Sequence, residues 1–145
     1  MNTLTILFLA ALAAMLITEL WLGRRQILSV QQHRDAVPDA FSEQIDLATH
    51  RKAADYTIAR TRLGLISGLY SAAILLMFTL GGGLQQIDDL SRQWLENPLL
   101  TGVVFIVLTI IIGAVLDLPF TLYKTFGLEA RFGFNKTTPG LYITD

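Results

Sequence analysis

The sequence predicts an all-α membrane protein with three transmembrane helices and an amphipathic cytosolic helix leading into the second. Three observations carry this. Of 145 residues, 52% are hydrophobic and only 16% charged, and the mean hydropathy is +0.50, whereas a soluble domain carries about 25% charged residues. Three stretches run for eighteen residues or more without a charged side chain. That is enough helix to cross a ~30 Å hydrocarbon core at ~1.5 Å per residue. Finally, the eleven Lys and Arg residues are shared unevenly among the segments that join those stretches.

Composition also removes several functional classes. With no cysteine, disulfides, Cys-ligated zinc, iron–sulfur clusters and thiol nucleophiles are excluded for this chain. A net charge of −1 and a pI near 6.1 lack the basic stripe that nucleic-acid binding leaves on a domain, so no nucleic-acid partner is expected.

The first span is read at residues 3–22. Met1 to Thr18 is uncharged, and Glu19, Trp21 and Arg24–Arg25 form an interfacial anchor at its end. A cleaved signal peptide is disfavoured, because basic residues follow the apolar run instead of preceding it and the run is long for a signal core. Gln26 to Arg62 is polar and reads as a loop containing a helix. Pro38 breaks the chain, Ser42 and Glu43 suit a first turn, and Phe41, Ile45, Ala48, Tyr56, Ala59 and Leu63 recur at mostly three- or four-residue steps. That helix is either a stalk that holds the membrane part against a cytosolic domain or an amphipathic helix lying on the headgroups.

The second span is read at 63–84. In it Gly64 and Gly68, followed by Ala72, put small residues on one ridge and predict helix packing within the protein in preference to homodimerisation. Gly81–Gly82–Gly83 lacks the Lys-Ser/Thr of a phosphate loop and reads as a turn out of the membrane. Gln85 to Pro98 is acidic without calcium-loop spacing, hence a solvated loop. The third span is read at 99–118, and Asp117 at its end is either a functional intramembrane acid, with Lys124 or Arg131 as partner, or an interfacial residue. A motif-bearing tail, 119–145, completes a single membrane module.

Seven of the eleven basic residues lie between the first and second spans, one between the second and third, and three after the third. The positive-inside rule therefore expects the N-terminus and the acidic loop outside, and the first loop and the tail in the cytosol.

The tail is the one segment that membrane filler does not explain. It carries Leu118-Pro119-Phe120, Leu122-Tyr123, Thr125-Phe126, Glu129, Gly133-Phe134-Asn135 and Thr138. This pattern resembles the N-terminal membrane region of the type I CAAX prenyl protease family, integral-membrane zinc metalloendopeptidases. The resemblance implies that Pro119, Tyr123, Phe126, Glu129, Gly133, Phe134, Asn135 and Thr138 are structural or buttressing residues. It implies zinc in the full-length protein, a catalytic domain beyond this chain, and a peptide or protein substrate. The compartment would be the inner membrane in a bacterium or the endoplasmic reticulum in a eukaryote.

A zinc peptidase of that kind needs two His one helical turn apart with a Glu between them. Here His33 and His50 stand apart and no H-E-x-x-H occurs, so no catalytic or metal-binding residue and no cofactor is expected within the 145 residues. Two functions are then weighed: the N-terminal membrane domain of such a protease, or a self-contained, non-enzymatic membrane scaffold or subunit. A tail stopping at Tyr142–Asp145 without an obvious terminus favours an excerpted chain and hence the former. Within the tail, Gly133 and Asn135 suit a tight turn pinned to neighbouring backbone and covered by Phe132 and Phe134, and Glu129 is expected to form an ion pair with Lys124 or Arg131 in preference to serving as a zinc ligand.

Overall fold

The computed structural model describes residues 2–38, 44–95 and 97–135. Among them every regular element is helical: α1 (Thr3–Gln32), α2 (Leu47–Thr79), α3 (Gly83–Trp94) and α4 (Pro98–Leu122), with α4 continued by a π-helical stretch, Tyr123–Glu129. Three helices, Thr3–Gln32, Leu47–Thr79 and Pro98–Glu129, are long and apolar enough to span a membrane. The residues fall into two compact units, one built from 1–69 and 123–145 and the other from 70–122.

In the first unit, α1 begins where the Asn2 side chain accepts the Thr5 N–H at 2.8 Å. It is longer than the expected span of 3–22. Arg, Gln and Leu after Trp21 are good helix formers, so the end of the apolar run does not end the helix, which continues to Gln32. The Arg25 guanidinium lies 4.8 Å from the Trp21 ring, an anchor of the kind that interfaces favour. Immediately before α2, the Asp46 carboxylate accepts the Thr49 N–H at 2.8 Å and so caps the helix start. Ser42, Glu43 and Phe41, from which an earlier start was expected, lie outside the described residues.

The ridge expected from Gly64 and Gly68 is only half used. A Cβ on Gly64 would meet nothing within 4 Å, whereas one on Gly68 would stand 2.9 Å from the Glu19 carboxylate on α1. The closest approach comes from α1 itself, where a Cβ on Gly23 would lie 2.7 Å from Leu65. The small residues that let the two helices meet are thus Gly68, from the expected ridge, and Gly23, which belongs to the polar end of α1 and to no small-residue repeat.

In the second unit, α2 ends at Thr79 and Gly82 takes φ +79° before α3, a left-handed exit for which glycine carries no Cβ penalty. The segment 85–98, expected as a loop, is mostly the amphipathic helix α3. Its Ile87 and Ser91 are buried against α4, while Asp88 and Arg92 pair across one turn at 2.8 Å on the exposed face. Asn97 accepts the Leu99 N–H at 2.9 Å to open α4. On α4, Leu99 and Ile110 are 77% and 65% exposed, as suits side chains whose solvent is lipid.

Pro119, expected at a helix end, sits inside α4. A proline cannot donate to the carbonyl four residues back and its ring crowds the preceding turn. In a membrane such a break survives where neighbouring groups satisfy the freed backbone. The carbonyl that Pro119 leaves without its helical donor is that of Val115; in the turn that follows it, the Tyr70 hydroxyl donates to the Leu116 carbonyl at 3.2 Å, the Thr121 hydroxyl donates to that of Asp117 at 3.2 Å, and the Tyr70 and Phe120 rings pack at 4.9 Å, bracing the helix around the break.

Candidate functional site

The motif residues past Tyr123 form a defined helix end. The Gly133 N–H bonds the Ala130 carbonyl at 3.0 Å, and the Phe134 and Asn135 N–H groups both bond the Glu129 carbonyl, at 2.9 and 3.2 Å. With Gly133 at φ +71°, this is the paired 6→1 and 5→2 pattern of a Schellman cap. Gly-Phe-Asn is therefore the device that stops the helix and turns the chain, pinned to backbone as its composition suggests. The left-handed residue is Gly133, since no described non-glycine residue has positive φ.

The cap is fastened to α2 by aromatic rings. Tyr56 meets Phe132 edge-on at 5.5 Å and Phe134 at 4.7 Å, geometries that favour aromatic pairs beyond their buried area. Lys52 Nζ stands 5.7 Å from the Phe134 ring and the Arg131 guanidinium 5.9 Å from that of Phe132. Phe134 does not bury the turn as expected: it is 53% exposed, with one face on Tyr56. Leu128, at 6% exposure, supplies the buried apolar support. Tyr123 is exposed, its ring lying where a Cβ on Gly127 would be 3.0 Å away, and Phe126 is half-buried. Glu129 contributes its carbonyl, and among the described residues its carboxylate pairs with neither Lys124 nor Arg131. Those bases lie five positions before it and two after it, spacings that do not share a helical face. Thr138 lies outside the described residues.

Beside the cap, a groove of about 700 Å³ runs along α2, lined by Arg51, Lys52, Asp55, Arg62, Arg131 and Phe132 among others. Arg34, in the turn after α1, grips Asp55 with two parallel bonds, Nε to Oδ1 at 2.7 Å and Nη2 to Oδ2 at 2.9 Å. Asp35 bridges Arg34 at 3.2 Å and Arg51 at 2.7 Å. The fork raises the Arg34 pKa above its ordinary value, chiefly through the hydrogen bond to Asp55. Pairing across 21 positions leaves no trace in local pattern. Arg51, Asp55 and Arg62 stand four and seven residues apart, spacings that share one side of a helix, and this is the local signal the groove face carries.

His33 and His50 do come together, but through backbone. His33 Nδ1 bonds the Ser29 carbonyl at 2.8 Å and His50 Nε2 bonds the His33 carbonyl at 2.9 Å. Each of those nitrogens is thereby a donor and no metal ligand. Among the described residues no three His, Cys, Asp or Glu side chains gather as a metal would require, so these residues do not fit a zinc site.

Helices of membrane length, a proline carried inside one of them and a capped aromatic turn define a polytopic membrane module. The profile of the family described as "CAAX prenyl protease N-terminal, five membrane helices" matches residues 26–145, and the chain belongs to that family. It is 32% identical over 141 residues to the CAAX prenyl protease 1 homolog of Caenorhabditis elegans, covering 96% of this chain and 31% of the relative. Against the human CAAX prenyl protease 1 homolog it is 29% identical over 129 residues, covering 84% of this chain and 26% of the relative. The crystal structure of S. mikatae Ste24p superposes with a TM-score of 0.87 at 27% identity, over 100% of this chain and 35% of that one. The chain thus spans between a quarter and a third of the curated relatives named here. It is an integral membrane protein.

Proposed function

We propose that these residues are the N-terminal membrane domain of a zinc metalloendopeptidase of the CAAX prenyl protease kind, anchoring it and buttressing a catalytic domain formed by other parts of the full-length protein. The likeness to Ste24p over the entire chain, at 35% of that protein's length, carries this reading. It fits the arrangement of the motif, whose described residues build a helix stop held on α2. Zinc and the peptide substrate belong to the full-length protein. The N-terminus faces outside and the capped tail faces the cytosol, a reading supported by the seven-to-one division of basic residues between the first two connections.

The test is Asn135→Ala in the full-length protein, beside Thr121→Ala as control. Alanine keeps the Asn135 N–H that rests on the Glu129 carbonyl, so the substitution removes the Asn135 side chain alone. If the turn positions the catalytic part, zinc content is retained and turnover falls, since a ~1 Å misplacement costs on the order of a hundredfold. Unchanged turnover would refute the buttress, and loss of zinc would make the turn part of the metal site. For orientation, cysteines placed singly at Gln32 and Gln86 are exposed to an impermeant thiol reagent. Only Gln86→Cys should label from outside.

A further inference from the structure

We propose that the groove beside the C-terminal cap is a binding site for the phosphate headgroup of an anionic glycerophospholipid. Four cations and one carboxylate line it: Arg51, Lys52, Arg62 and Arg131 against Asp55. The carboxylate is already gripped at both oxygens by Arg34, and Arg51 is held by Asp35 at 2.7 Å. Lys52, Arg62 and Arg131 form no ion pair among the described residues, so three positive charges face one cavity of about 700 Å³ whose single carboxylate, Asp55, is already committed to Arg34. Like charges kept together at such a cost to one another call for a bound anion.

The position of the groove selects the source of that anion. Arg62 immediately precedes Leu63, the first residue of the charge-free run of α2, and so sits at the depth where headgroup phosphates meet hydrocarbon. One and two turns further on the same face of α2 stand Ile66 and Leu69, 59% and 46% exposed. They form an apolar rail that continues the line of the cationic groove, so a phosphate among Lys52, Arg62 and Arg131 places its acyl chains along Ile66 and Leu69. A soluble phosphate would make no use of that rail. Juxtamembrane cations contribute roughly fivefold each to the binding of anionic lipid.

The experiment uses the full-length protein in nanodiscs of phosphatidylcholine with an admixed fraction of phosphatidylglycerol, and counts lipids retained by native mass spectrometry. Wild type should hold phosphatidylglycerol in preference to phosphatidylcholine, and millimolar inorganic phosphate should not displace it. The double variant Arg62→Gln, Arg131→Gln should retain it about thirtyfold less well, two cations at roughly fivefold each. Arg62→Lys, Arg131→Lys keeps the charge and should retain it, which separates lost binding from lost folding. Arg24→Gln, Arg25→Gln, removing cations outside the groove, should behave as wild type. Equal retention by the Gln double variant and wild type overturns the proposal. So does displacement by inorganic phosphate. A Gln double variant that melts lower in pure phosphatidylcholine with phosphatidylglycerol retention intact also overturns it, assigning the groove to an acidic protein surface.

Discussion

Replacing Gly133 with alanine isolates what the cap contributes. The added Cβ would find only Lys52 Nζ, at 3.5 Å, an ordinary contact with the mobile end of a side chain, so sterics add little. The cost comes from the backbone, because Gly133 stands at φ +71° and a left-handed conformation costs an L-residue roughly 1–2 kcal/mol. Asparagine visits that region more readily than alanine, so Gly133→Asn should lose less. The readout is hydrogen exchange at Phe134 and Asn135, whose amides both depend on the Glu129 carbonyl. A cap weakened by that amount opens about five- to thirtyfold more often. Protection at those two amides should fall by that factor in Gly133→Ala and by less in Gly133→Asn, with exchange in the middle of α1 unchanged. Equal protection in all three proteins would show that the turn is held by something other than its left-handed residue, and would remove the Schellman cap from the account.

Other perturbations probe the neighbouring links. Tyr56→Leu keeps bulk but removes two ring pairs worth about 0.5–1.5 kcal/mol each, and should lower protection of the same two amides without unfolding α2; an unchanged exchange profile would refute the fastening. Gly64→Ala adds a Cβ that meets nothing and gains helix propensity of up to about 1 kcal/mol, so resistance to denaturant should rise, and a fall would reveal a hidden contact. Asp46 has its pKa lowered by hydrogen bonds from the Thr49 side chain and then the Thr49 N–H. Its stabilisation of the α2 start is therefore complete above the ordinary Asp value near ~3.9 and lost as pH falls through the lowered folded value. Protection of the Thr49 amide, taken against its intrinsic exchange rate at each pH, should fall over that range in wild type and stay constant in Asp46→Asn; a fall in both would assign the effect elsewhere.

Apolar length is a property each segment holds by itself, which is why three spans and an all-helical fold could be read directly. Helix ends are set by single residues, and there the reading went astray in both directions. The charge at Arg24–Arg25 ended the apolar run without ending α1, since arginine and glutamine are as content in helix as leucine. The proline at 119 suggests a terminus because its lost hydrogen bond is a local fact, while the Tyr70 hydroxyl that braces the helix there, on the Leu116 carbonyl, comes from 46 positions away. The acidic 85–98 segment hid a helix for a similar reason. Its polar face dominates the composition, and only burial of Ile87 and Ser91 reveals which side matters.

The motif shows the same division between local and distant information. That Gly133 would turn the chain was legible, because a left-handed cap is chemistry written in one residue. What the turn is fastened to was not, since Tyr56 lies some seventy-five positions earlier and its ring geometry exists only after α2 and the capped end have met. Glu129 shows how this misleads: read for its carboxylate it suggested an ion pair, yet its structural work is done by its carbonyl, which accepts both the Phe134 and the Asn135 N–H and would do so with any side chain. A Glu129→Gln substitution should therefore leave the cap intact, with protection at both amides within error of wild type. A loss there comparable to that of Gly133→Ala would restore the carboxylate to a role in the turn.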